Sequence, residues 1–130
     1  MFKENVVITG ECFNLFKDII CDYECRVDND IEGHTYNATI TSANDGVHSN
    51  NSTHYKNKAI DLRIKDIDLG RDYLKKYMEA IVMYLGDIYR DFVFILHLYD
   101  GKNHIHIQHG RDNIISFDSA ICENKNVFIK

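Results

Sequence analysis

Two short stretches of the chain contain the residue types that bind zinc in proteins. In the first, Ser52–Leu62, His54 and Asp61 lie on either side of a turn-prone segment. In the second, one residue separates His104 from His106, so a strand would place both on one face. Imidazole nitrogen and carboxylate oxygen are usual zinc ligands, and a catalytic zinc takes three protein ligands plus water. We interpret the two stretches as an active site or the remains of one.

Hydrophobic spacing predicts two helices around these stretches. Apolar residues recur at intervals of three and four over Gly10–Cys21, and the polar segment Asp22–Gly33 is predicted to be mostly loop. Leu69–Leu85 has the same spacing more clearly, and Gly86 fits a left-handed stop at its C-terminus.

Alternation and β-branched composition predict four strands. They are Thr35–Ser42, Ala59–Ile64, the apolar run Phe92–Tyr99 as a central strand, and its hairpin partner His104–Gln108. A long polar loop, Ala43–Thr53, joins the first two strands and leads to His54. The tail, Ile114–Lys130, is predicted to add an edge strand or simply to pack. In the fourth strand, Ile105 and Ile107 should face away from His104, His106 and Gln108.

This order of elements predicts a small α+β domain with a mostly antiparallel sheet, residues 1–130 forming a single domain. At 130 residues, 45% hydrophobic and 27% charged, the chain has the composition of a soluble globular protein. A formal net charge of −5 without a dense Lys/Arg cluster argues against nucleic acid as a partner. No apolar run reaches the roughly 20 residues of a membrane span, and the N-terminus does not resemble a signal peptide.

We therefore expect synthesis in the cytoplasm without a signal peptide, and we expect a monomer, although the sequence does not determine the oligomeric state. The four cysteines include no second closely spaced pair, so a four-thiolate zinc site is poorly supported. We interpret them as reduced thiols, mostly in the core. His34 and His97 are interpreted as structural or exposed histidines.

The pattern Ser52-x-His54-x-x-Asn57-x-Ala59-x-Asp61 resembles the Ser-x-His-x-x-Gly-x-Ala-x-Asp signature of a metallopeptidase group. This is the fold group of zinc D-alanyl-D-alanine carboxypeptidases and Hedgehog-type domains. The later His104-Ile105-His106 resembles the closing His-x-His of that group. The loop Asp45–Tyr55, read as Asp-Gly-Val-His-Ser-Asn-Asn-Ser-Thr-His-Tyr, is most similar to the short, phage-type peptidoglycan peptidases.

The resemblance implies a zinc ion held by His54, Asp61 and His106. It also implies hydrolysis of peptide bonds in the stem peptides of bacterial peptidoglycan, with a possible phage or viral origin. His104 would stabilise the oxyanion of the reaction. Ser49 and Ser52 would orient ligands or substrate. His48, within the matching loop, is a further candidate for substrate binding. Arg63 is a candidate to bind a substrate carboxylate, with a solvated strand end as the alternative interpretation.

One position departs from the pattern in a way that affects the chemistry. The group has an acidic general base three positions before the last zinc ligand, where this chain has Asn103. A carboxamide holds a water molecule but does not accept its proton at neutral pH. Three interpretations stay open: Asp100 supplies the base, His104 does, or the site binds metal and peptide with little turnover. A binding module on the same fold is therefore the alternative to an enzyme, and coincidental histidines in a zinc-free domain are a third hypothesis.

Overall fold

Two helices and five strands make up the part of the chain that the structure describes. The structure is a computed structural model that describes residues 10–31, 36–43, 58–67, 69–98, 103–111 and 117–130. The elements are α1 (Gly10–Asp30), β1 (Ile40–Ser42), β2 (Ala59–Arg63), α2 (Arg71–Ile88), β3 (Phe92–His97), β4 (His104–His109), a 3-10 turn (Phe117–Ser119) and β5 (Val127–Ile129). The predicted α+β class is confirmed.

The five strands form one sheet in the order β1-β2-β4-β3-β5. The pairs β1–β2, β2–β4 and β3–β4 are antiparallel, and the β3–β5 pair is parallel. The predicted hairpin of β3 and β4 is confirmed, and so is the edge strand in the tail. Because β4 pairs with β2, the described part of the first stretch, residues 58–62, lies beside the second stretch in the middle of the sheet.

The first helix is longer than its predicted extent of Gly10–Cys21, and the prediction of loop over Asp22–Gly33 was wrong as far as Asp30. The buried stripe continues past the predicted end with Tyr23 and Val27, at the same spacing as the earlier buried residues. Between them, Cys25 and Arg26 are exposed, whereas Glu24 is partly buried and accepts a hydrogen bond from the Ala38 N–H at 2.8 Å. The charge of this segment suggested a loop, but it belongs to the solvent side of an amphipathic helix.

The second helix does not stop at Gly86, as predicted, but continues to Ile88. Gly86 is fully inside the helix, and a Cβ built on it would lie 2.4 Å from Val127 Cγ2. Glycine is therefore required there by the close approach of β5 and not by a left-handed turn. The buried Asn126 completes the junction because its Nδ2 donates to the carbonyl oxygens of Gly86 (2.9 Å) and Phe92 (3.0 Å).

Three strands are shorter than predicted, whereas β4 extends one residue further than predicted, to His109. β1 is confined to Ile40–Ser42 of the predicted Thr35–Ser42, and β2 ends at Arg63. β3 ends at His97 and has neighbours on both sides, whereas Tyr99 lies outside the described residues. Within the described ranges, neither helix has a stretch long and apolar enough to cross a membrane.

The two faces of the sheet differ in chemistry. The core face packs against both helices and includes the fully buried Ile60, Leu62, Phe94, Leu96, Ile105, Ile107 and Val127. We call the opposite side the polar face and define it by Asp61, Arg63, His97, His104, His106 and Gln108. The register pairs Asp61 with His106, and His104 with Arg63 and His97, whereas Gln108 follows His106 on the same face of β4. The polar face also contains a small apolar cluster of Val93, Ile95 and Phe128. The predicted separation of Ile105 and Ile107 from the histidines is confirmed by their complete burial.

The cysteines differ from expectation. None of the four, all of which the structure describes, forms a disulfide bond. Only Cys12 is buried, whereas Cys21 and Cys25 are exposed on α1, so the prediction that most lie in the core was wrong. Cys21 and Cys25 lie on the solvent-exposed side of α1, in the region where the sequence predicted that the helix ends and a loop begins.

Candidate metal site on the polar face

The register of β2, β4 and β3 places the polar side chains in two adjacent rows. In one row Asp61 lies directly opposite His106, which lies opposite Ile95. In the other, Arg63 lies opposite His104, which lies opposite His97. Directly opposite residues in antiparallel strands have Cβ atoms roughly 4.5–5.5 Å apart, close enough for the side chains to touch.

The central contact of this surface joins His106 and Asp61, which are 45 residues apart in sequence. The Nδ1 of His106 lies 3.0 Å from Oδ1 of Asp61. The two side chains are 15% and 17% exposed, so the contact is shielded from most of the solvent without being closed to it. Partial desolvation strengthens the electrostatic attraction between such a pair and a cation.

The donor atoms of this pair fit a zinc ion. Imidazole nitrogen and carboxylate oxygen are both zinc ligands, with bonds of about 2.0–2.2 Å. In a tetrahedral site two such atoms are about 3.3 Å apart, close to the 3.0 Å between Nδ1 of His106 and Oδ1 of Asp61. Small side-chain adjustments would therefore allow both atoms to bind one ion.

The other ring nitrogen of His106 contacts Gln108, a residue that is 3% exposed. The distance from His106 Nε2 to Gln108 Oε1 is 2.9 Å. Gln108 in turn donates from its own Nε2 to the carbonyl oxygen of Gly110, at 3.0 Å. A chain of polar contacts thus runs from Asp61 through His106 and Gln108 to the end of β4.

The second row brings two histidines into ring contact. The rings of His97 and His104 are stacked, with centroids 4.5 Å apart and planes inclined by 22°. Burial, and then the positive charge of His104 and His106 when they are protonated, lower the pKa of His97 to about 4. His97 is therefore neutral at physiological pH and supports the ring of His104 without adding charge.

Arg63 completes this row on β2, where it is half-buried. No hydrogen bond joins its covered Nε to any atom within the described ranges. This guanidinium therefore differs from that of a fully solvated arginine at a strand end, because its Nε is shielded from water. A guanidinium stays charged at all physiological pH values and matches a carboxylate in shape.

Several predicted site residues lie outside the described residues: His48, Ser49, Ser52, His54 and Asp100. The structure brings together Asp61, His106, His104 and Arg63 on one face. Asn103 directly precedes β4 and is half-buried. Among the described residues, no group of three or more His, Cys, Asp and Glu is arranged to hold a metal. The third predicted ligand, His54, remains a prediction.

The roles of two residues of this surface were not found from sequence. His97 was interpreted as structural or exposed, and its stacking on His104 agrees with a structural role; its position opposite His104 follows from the register of the hairpin. Gln108 was placed on the correct face without a role. Its contact with His106 follows from their spacing of two on one strand, which puts adjacent side chains on the same face.

Comparison with known proteins identified no relative: no protein-family model, curated protein or solved structure matches the chain.

Proposed function

We propose that the chain is a zinc-dependent peptidase that hydrolyses peptide bonds in bacterial cell-wall stem peptides. The observation that carries the proposal is the contact between His106 Nδ1 and Asp61 Oδ1, at 3.0 Å. Both residues were selected as zinc ligands from their sequence patterns alone. The resemblance of those patterns to the zinc D-alanyl-D-alanine carboxypeptidase group supports the peptidase activity and the substrate class.

In this proposal His54, Asp61 and His106 hold the zinc ion. Zinc held there would supply a Lewis acid for the scissile carbonyl and would lower the pKa of a water molecule to about 7. The half-buried setting of Asp61 and His106 leaves the pair open to solvent on one side. An open side is a requirement of a catalytic site, in contrast to a closed structural one.

His104 is the proposed hydrogen-bond donor to the developing oxyanion. It lies two residues from His106 on the same strand face, and stacking on His97 restricts its ring. A donor that is already oriented costs little reorganisation when charge develops in the transition state. Arg63, directly opposite His104, is the proposed contact for a substrate carboxylate.

The alternative function is a metal-holding binding module with little or no turnover. The observation that favours it is Asn103, which occupies the position of the acidic general base in the group that the chain resembles. Loss of a general base costs about 10²–10⁴-fold in rate. The zinc and peptide contacts proposed above do not require a general base at position 103.

The two functions are separated by measuring zinc content and muropeptide cleavage for the unmodified chain and for Asn103→Asp. Protein purified without chelators should contain about one zinc ion per chain. If the site is a weakened peptidase, Asn103→Asp should increase the cleavage rate by about 10²–10⁴-fold. Asn29→Asp, on the exposed end of α1, introduces the same charge away from the sheet and serves as the control.

Cleavage by both the unmodified chain and Asn103→Asp at similar rates would indicate that another group supplies the base. Zinc binding without cleavage in either protein would favour the binding module. Protein that lacks zinc, and whose His54→Ala variant is equally stable and equally poor in metal, would refute the site itself.

A further inference from the structure

We propose that Gln108 is a positioning residue that keeps a proton on Nε2 of His106 and so makes Nδ1, which faces Asp61, the metal-binding atom. The inference deepens the proposed zinc site and rests on it for its functional meaning. Its structural part, the position of the proton, is independent of zinc.

Gln108 is a polar residue in largely apolar surroundings. It is 3% exposed and lies directly opposite Ala59 on β2 and Val93 on β3. Burial of a carboxamide without hydrogen bonds is strongly unfavourable relative to leaving it in water. Both ends of this carboxamide have a partner, since Nε2 contacts Gly110 and Oε1 contacts His106.

The orientation of the carboxamide is set by Gly110. The partner of Gln108 Nε2 is the Gly110 carbonyl oxygen, at 3.0 Å, which can only accept a hydrogen bond. Gly110 is itself held because its N–H donates to the carbonyl oxygen of Asp91, at 3.0 Å. Its φ of 83° is a left-handed value that favours glycine, and it turns the chain at the end of β4. The reverse orientation of the carboxamide would place two oxygens against each other.

With this orientation, Gln108 Oε1 is the atom that faces His106 Nε2, at 2.9 Å. A carbonyl oxygen has no hydrogen to donate, so Nε2 must be the donor. In a neutral imidazole the lone pair is then on Nδ1, and this nitrogen faces the Asp61 carboxylate at 3.0 Å. Two acceptor atoms repel each other at this distance unless a positive charge lies between them. That charge is either a further proton or a bound cation.

Without Gln108 the arrangement would favour the opposite tautomer. A neutral His106 would donate from Nδ1 to Asp61, and its lone pair would lie on Nε2, which points away from the carboxylate. A cation would then have to displace that proton before both residues could bind it. Loss of the residue that orients a metal-binding histidine typically weakens metal affinity about 10–100-fold.

The test uses the full chain and three variants. Gln108→Met keeps a side chain of similar length but removes the acceptor. Gln108→Glu keeps an oxygen acceptor for His106, and its second oxygen can donate to the Gly110 carbonyl only when the carboxyl group is protonated. Val93→Ala loosens packing directly opposite Gln108 and leaves the hydrogen bonds intact. The ¹⁵N shifts and couplings of the His106 ring report which nitrogen carries the proton in metal-free protein at pH 8. Competition with a chelator then gives the affinity for zinc alone.

We expect the proton on Nε2 in the unmodified chain, Gln108→Glu and Val93→Ala, and on Nδ1 in Gln108→Met. Zinc affinity should fall about 10–100-fold in Gln108→Met and stay near the unmodified value in Val93→Ala. A proton only on Nδ1 in the unmodified chain, an unchanged tautomer in Gln108→Met, or equal zinc loss in Gln108→Met and Val93→Ala would overturn the proposal. If the tautomers follow expectation but no protein binds zinc, the positioning role stands and the proposed zinc site fails.

Discussion

The two faces of the sheet are built from alternating residues of the same strands, yet one face is apolar and the other is largely polar. Along β4, Ile105 and Ile107 are completely buried on the core face, whereas His104 and His106 are half-buried on the polar face. Along β2, Leu62 is buried on the core face between Asp61 and Arg63, which lie on the polar face. One residue along a strand therefore separates a position that stabilises the fold from a position that could bind a ligand.

The difference shows where the sequence departs from what stability alone requires. A face that only has to meet solvent can carry isolated polar side chains that make few contacts. The polar face instead concentrates three histidines, an aspartate and an arginine at positions opposite one another in register, and Gln108 is nearly inaccessible. Desolvated polar groups in contact cost stability unless they are well paired, which makes this cluster the candidate site of the described residues.

The largest expected effect tests this contrast within β4 itself. We predict that His106→Ala abolishes zinc binding, whereas His109→Ala leaves it near the unmodified level. His109 lies on the same strand but faces the core side, where its ring centroid is 4.9 Å from that of Phe92. Loss of a ligand should exceed the roughly 10–100-fold loss of affinity caused by removing a supporting partner.

Metal analysis and chelator competition on both variants give the answer, and circular dichroism shows whether each variant is folded. Equal zinc content in folded His106→Ala and folded His109→Ala would mean that the polar face does not bind the metal.

Much of the fold was predictable because periodicity reports which side of an element is buried. The alternation in β4 predicted its two faces correctly, and the stripe of α2 predicted its core contacts. The end of α1 was not predictable in this way, because its buried residues Tyr23 and Val27 are separated by charged positions that resemble a loop. The role of Gly86 was also hidden, since it depends on Val127, a residue far away in sequence that packs against it.

The candidate site was predictable only in part. Its residue types and spacing selected Asp61, His104 and His106, and the structure places these three on one face. The contact of His97 with His104 depends on strand pairing, which sequence spacing alone does not determine. Spacing places Gln108 on the same face as His106, but it does not show that the two side chains form a hydrogen bond. The positions of His54 and Asp100 lie outside the described residues, so their site roles stay predictions.

The next largest effect concerns stability. We predict that Ile107→Ala lowers the free energy of unfolding by about 2–5 kcal/mol, because it leaves a cavity in the main core. Ile107 is 0% exposed and lies opposite Ile60 and Phe94 in the register. The zinc affinity of the Ile107→Ala variant should remain near that of the unmodified chain. Urea denaturation of the metal-free protein measures the loss of stability.

Ile95→Ala is the matched control, because Ile95 lies on the polar face, opposite His106. It belongs to a small cluster and is 7% exposed, so its loss should cost less stability than that of Ile107. A greater loss of stability for Ile95→Ala would show that the polar face is a second core, and the contrast between the faces would be wrong.

The smallest expected effect is a pH dependence that originates on the polar face. Folding lowers the pKa of His97 to about 4, from an ordinary value of 6.5. Well above pH 6.5 the residue is neutral in both the folded and unfolded states, so its titration does not change stability there. As the pH falls from about 6.5 to 4, the unfolded chain binds a proton that the folded chain resists, so stability falls with decreasing pH. Below about pH 4 both states are protonated and this contribution stops changing.

Replacement of the titrating ring by an apolar one isolates this contribution. His97→Phe keeps a ring against His104 but cannot bind a proton, so its stability should depend less on pH than that of the unmodified chain. Urea denaturation of both metal-free proteins, at intervals from about pH 4 to pH 7.5, measures the two slopes. An NMR titration of the unmodified chain gives the midpoint of His97 directly. A midpoint near the ordinary value, with equal slopes for both proteins, would mean that the polar face is as well solvated as an ordinary surface.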